Sequence, residues 1–178
     1  MLRRWFFAGV LTWGAALAPA AQGAAAPCGP ERVVVGAYLN DLHNLELKSH
    51  SYSVDLYLWF RWRNPKLNPA ASFELTNPYE LWGHVRTPTY EKPAKLPGGE
   101  FYQVVRVQGR FSRKLRLDNY PFDRQTLAVE LEDSILDAGE LVYVLDEAPL
   151  AVNPELELPG FVIGLSMILS RGRTVLVA

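Results

Sequence analysis

The chain has 178 residues, 18 basic against 19 acidic, for a net charge of −1. That balance lacks the basic excess of a nucleic-acid binder, and 49% hydrophobic with 21% charged residues is ordinary for a single globular domain. Eight Tyr, eight Phe and five Trp suit a sandwich core or a binding surface built from rings.

Residues 1–26 read as a signal peptide. Arg3 and Arg4 make a positive n-region, residues 5–17 an apolar run, and Ala18-Pro19-Ala20 a small-residue site, with cut points between Ala20 and Ala26. The Arg3-Arg4-Trp5-Phe6-Phe7 start also bears a faint likeness to a twin-arginine signal, but the general secretory route fits better. A membrane anchor is the competing reading, for which the run is short. Residues 27–178 are then one exported domain. Cys28 is the single cysteine and makes no internal disulfide.

Residues 32–39 form a β-branched first strand, which Asp41-Leu42-His43-Asn44 should break. Residues 45–48 are a short connection. Residues 51–63 follow as a long strand, with Tyr52, Val54, Leu56, Leu58, Phe60 and Trp62 on one face and Asp55, Tyr57, Trp59 and Arg61 on the other. Rings on both faces indicate a two-layer core or an interface. Asn64-Pro65, Asn68-Pro69 and Asn77-Pro78 mark turns. A short strand over 79–85 contains Trp82, and a Pro- and Gly-rich loop containing Tyr90 comes next.

From 101 to 117 the odd positions are mostly apolar and the even ones polar, with a bend expected at Gly109. A turn at Pro121 leads to another alternating strand from Gln125 on, with Leu127, Val129 and Leu131 opposite Ala128, Glu130 and Glu132. Residues 141–145 form the next strand, 146–158 an irregular acidic stretch, 161–169 a last apolar strand, and 174–177 a tail. Many short strands, frequent turns and no helical period give an all-β, immunoglobulin-like two-sheet β-sandwich with Greek-key connections.

The stretch Tyr120-Pro121-Phe122-Asp123-Arg124-Gln125 resembles the signature of the Cys-loop superfamily of pentameric ligand-gated ion channels. Arg106 to Phe111 upstream is similar to that family's sixth strand, and Val54 to Trp62 to its second. The resemblance implies the extracellular ligand-binding domain of a prokaryotic member: a homopentamer that binds a small molecule between identical subunits. It also implies a location on the periplasmic or extracellular face of the cell membrane. Animal members close a disulfide around the turn. The matching positions here are Arg113 and Leu127, so that bond is absent, as in bacterial members.

By the same resemblance, Glu132 is the principal-face carboxylate, Arg106 and Tyr57 belong to the complementary face, and Trp82 precedes the first principal-face loop, which holds Tyr90. His84 stands where a proline is usual, and no ring-bearing hairpin between the last two strands is visible. Leu45, Glu46, Leu47 and Lys48, with Tyr120, Pro121, Phe122 and Asp123, would touch a pore domain. A carboxylate with rings suits an ammonium ligand. Each assignment has a plainer alternative: a solvated strand-end charge for Glu132, a surface ion pair for Arg106, and interface packing for Tyr57.

No catalytic, metal or cofactor site is expected. His43, His50 and His84 lack ligand spacing, Glu130 and Glu132 lie too close for an inverting glycosidase pair, and no nucleophile elbow or phosphate loop occurs. After the signal, no apolar run is long enough for a membrane helix. The last strand and pore domain that the resemblance implies are then expected to be absent from this chain, which reads as a channel fragment, a truncated product or a soluble periplasmic binding protein of the same fold. A monomeric carbohydrate-binding or adhesion sandwich is the reading from another class.

Overall fold

A computed structural model describes residues 29–118, 124–164, 166–170 and 173–177. The expected signal peptide, Cys28 and the corner Tyr120, Pro121, Phe122 and Asp123 lie outside the described residues. The described chain forms β1 (Glu31–Glu46), β2 (Ser51–Trp62), a single helical turn α1 (Pro69–Ser72), β3 (Phe73–Leu75), β4 (His84–Pro88), β5 (Ala94–Lys95), β6 (Phe101–Ser112), β7 (Ala128–Asp133), β8 (Leu141–Val152), β9 (Ser166–Ser170) and β10 (Arg173–Val177).

Two sheets face each other as a β-sandwich. The larger has the order β4-β6-β2-β1-β8, with β5 also pairing β6, and the smaller runs β3-β7-β10-β9. The period-two pattern of β2 and β6 places Val54, Leu56, Leu58, Phe60, Val105, Val107 and Phe111 in the core. Phe73, Leu127, Val129 and Leu131 meet them from the other side. The Phe60 and Phe73 rings lie 5.2 Å apart between the layers. Tyr52 of β2 is fully buried and bridges to β7: its hydroxyl donates to the Ala128 carbonyl (2.6 Å) and accepts the Ala128 amide (2.8 Å).

Strand continuity departs from the sequence reading in several places, each with a local cause. The Asp41–Asn44 break is a pair of bulges. β1 runs on to Glu46, shifting register against β2 between Leu39 and Asp41 and again between His43 and Glu46, and Asn44 takes φ 51°. β8 likewise continues to Val152 beyond the expected end at 145. It runs parallel to β1, where Val35 to Ala37 on β1 spans Leu145 to Leu150 on β8. A parallel edge strand carrying this insertion has no simple alternation to announce it.

β6 pairs evenly with β2 from Phe101 to Ser112, so Gly109 makes no bend in that ladder. Gly109 instead admits close approach of β4, since a Cβ there would lie 2.7 Å from the Cβ of His84. The strand expected over 79–85 begins only at His84, leaving Trp82 in the preceding loop. The tail forms β10, paired with both β7 and β9, and β9 starts at Ser166 rather than 161.

Candidate functional site

On the outer face of the larger sheet, the β2–β6 register places Tyr57 directly beside Arg106. The guanidinium carbon lies 5.5 Å from the Tyr57 ring centroid, within cation–π range. The same guanidinium is forked onto Asp55, Nε to Oδ1 at 2.9 Å and Nη2 to Oδ2 at 2.6 Å. The Asn40 amide donates to Asp55 Oδ2 at 3.0 Å. Asp55 is only 7% exposed, a burial that carboxylates tolerate when paired. Arg106 holds the Asp55 carboxyl below the usual carboxylate range, outweighing the burial that would raise it, and Asn40 adds to the effect. The Arg106 guanidinium is in turn held more firmly protonated by that carboxylate. Tyr38 of β1 packs near Tyr57, ring centroids 6.2 Å apart.

A second unit continues along the same face. The insertion in β8 brings in Asp146, whose carboxylate accepts the Trp59 indole N–H at 2.9 Å and Arg61 Nη2 at 2.6 Å. The indole lies across Gly36 of β1, where a Cβ would fall 2.1 Å from Cζ2, so only glycine fits beneath it. Tyr90 reaches this sheet as well. Its backbone carbonyl accepts the Gln103 amide at 2.8 Å, and its ring lies 6.3 Å from that of Tyr102. Burial raises the Tyr102 phenol, and Tyr90 beside it adds to the rise.

Glu132 lies elsewhere. It alternates with buried Leu131 on β7, is half-buried, and sits opposite Glu74 of β3 on the outer face of the smaller sheet. One chain therefore brings Tyr57 and Arg106 together, places Tyr90 on their sheet, and keeps Glu132 on the far side of the sandwich. Trp82, 84% exposed in the β3–β4 loop, joins neither group. Asp55, Asn40, Tyr38, Trp59 and Asp146 are partners that the sequence did not single out. The one available signal was Asp55 itself, a carboxylate in the middle of a ring-rich strand.

At one end of the sandwich, Leu45 and Glu46 finish β1, while Leu47 and Lys48 begin the turn into β2. Leu45 and Leu47 pack against the core. Arg110 of β6 clamps this turn, with Nη2 2.9 Å from Glu46 Oε2 and 2.7 Å from the Ser51 hydroxyl. Its guanidinium also stands 4.4 Å over the Tyr79 ring. Residues 113–118, which lead toward the corner, leave β6 at this same end, where the Arg113 amide donates to the His50 carbonyl.

At the opposite end, where β1 begins and β2 finishes, Glu31, Arg63, Lys66, Leu67, Leu136 and Glu140 help to line an open cleft of about 550 Å³. It contains none of the site residues expected from the sequence. Among the described residues no three His, Cys, Asp or Glu side chains group as metal ligands, and no helix is long and apolar enough to cross a membrane.

No family model matches the chain. It is similar to a proton-gated ion channel of Gloeobacter violaceus, 26% identical over 146 residues that cover 74% of this chain. The match spans only 41% of that channel's length.

Proposed function

We propose that this chain is the extracellular ligand-receiving domain of a bacterial ligand-gated ion channel, taking a small amine between neighbouring copies of itself. The observation that carries this reading is the placement of the two half-sites. Glu132 and the Tyr57–Arg106 pair lie on opposite outer faces of one sandwich, whose layers are separated by about 10 Å. They can share a ligand only when the Glu132 face of one copy meets the Tyr57 face of the next. The likeness to a proton-gated channel and the Tyr120–Gln125 motif support the channel part of the reading.

Within that site Arg106 has a supporting role, since its fork is already taken by Asp55. It covers part of the half-exposed Tyr57 ring and leaves the remainder to an ammonium group, with Glu132 of the neighbouring copy as counter-charge. A ligand that favours one arrangement of two adjoining copies shifts the balance between arrangements. The shift would reach a pore domain through Leu45, Glu46, Leu47 and Lys48 and the corner at Tyr120–Asp123.

A thermal-shift screen of small primary and quaternary amines tests the reading. A binding amine at ~100 times its Kd should stabilise the chain by about 2.7 kcal/mol, and Glu132→Gln should abolish the shift. A shift that survives Glu132→Gln removes Glu132 from the site. No shift with any amine overturns the amine assignment.

A further inference from the structure

The turn between β1 and β2 closes on His50, whose backbone sits in the left-handed region at φ 53°. Few side chains accept that conformation, histidine and asparagine among them. His50 fastens two alternate amides of the segment leaving β6. Its carbonyl accepts the Arg113 N–H at 3.1 Å, and its ring Nδ1 accepts the Leu115 N–H at 3.3 Å. Leu115 is 3% exposed, the buried anchor of a segment whose Lys114, Arg116, Leu117 and Asp118 are exposed, and a buried amide that loses its partner is costly.

The ring contact exists only while Nδ1 carries a lone pair. A neutral imidazole has one such nitrogen, and the protonated ring has none, since both nitrogens then bear hydrogen. Protonation therefore sets one N–H against another and removes the Leu115 acceptor. The charged groups on the hairpin and on the elements tied to it are Glu46 and Lys48 of the hairpin, Arg110 of β6, which bonds Ser49 and Ser51, Arg113 of the exit segment, with Lys114 and Arg116 beside it in sequence, and Glu130 of β7, which holds Arg113. Both carboxylates are already engaged, Glu46 with Arg110 at 2.9 Å and Glu130 with Arg113 at 3.2 Å.

We propose that His50 is a proton-operated latch. Neutral, it fastens residues 113–118 to the β1–β2 turn; protonated, it lets them go. Its regulatory meaning rests on the channel reading, because this end of the sandwich is where a pore domain would be met. The latch itself rests on the hydrogen bonds alone.

Amide exchange followed by NMR on the chain without any ligand, across about pH 8 to 5 and corrected for intrinsic exchange, tests it. Protection of the Leu115 amide should fall by about tenfold in step with the His50 ring titration. His50→Asn keeps the left-handed turn and offers a carbonyl acceptor that does not titrate, so it should hold protection level. His43→Gln, which removes the other histidine of the hairpin and its 2.9 Å contact with Asp41, should leave the response intact. Constant Leu115 protection through the His50 titration, or an equal loss in His50→Asn, overturns the latch. Should His50→Asn not fold, the wild-type ring nitrogen shifts decide, and a proton on Nδ1 at high pH overturns it. Failure of the latch leaves the amine site standing, and failure of the amine screen leaves the latch standing.

Discussion

Asp55 keeps a negative charge on a nearly buried side chain because Arg106 and Asn40 satisfy both of its oxygens. The carboxyl titrates lower in the folded chain than in the unfolded one. Its stabilisation is therefore fully present above the unfolded aspartate value of about 3.9, and is lost as pH falls through the lower folded value. Asp55→Asn should lower the melting temperature at neutral pH, by stranding part of the Arg106 charge, and should flatten the fall in stability below about pH 4. Melting curves from neutral to acid pH check this, and a variant whose acid limb matches wild type would place the effect elsewhere. The resemblance named Arg106 and Tyr57, and the structure sets them side by side. Asp55 as the anchor was not legible, because only the pairing register of β2 and β6 sets Arg106 against it.

At the scale of elements, the two sheets are tied by a buried polar contact as well as by apolar packing. Tyr52 sits on the inner face of β2 and exchanges both hydrogen bonds with Ala128 of β7. The Asn77 amide shares the Ala128 carbonyl at 2.6 Å, so Tyr52→Phe leaves the Ala128 amide as the group without its partner. An unsatisfied buried donor costs about 1–3 kcal/mol, and chemical denaturation should register a loss of that size with an unchanged slope against denaturant. A loss below a few tenths of a kcal/mol would mean that water takes the place of the hydroxyl. β2, β6 and the inner face of β7 could be read from strict alternation. β8 could not, since its parallel pairing with β1 and the insertion that delivers Asp146 leave no period of two, and a Tyr52 hydroxyl in an apolar row carries no sign that its partner is a backbone amide.

For the whole molecule, the strand count and turn spacing were enough for a two-sheet sandwich. Alternation alone did not separate Glu132 from Tyr57 and Arg106, because opposite outer faces follow from which sheet each strand joins; only the resemblance assigned them to different faces. On the proposed reading a shared ligand needs a second copy; the exposed ring of Trp82 and the exposed Leu81 and Val85 beside it lie outside the core of the single chain. The most direct measurement is light scattering on the chain over a wide concentration range, with and without an amine that shifts its melting point. A rise to five times the monomer mass is expected, reached at lower concentration when the amine is present. A mass that stays at one chain at every concentration, with the amine bound, would contradict it.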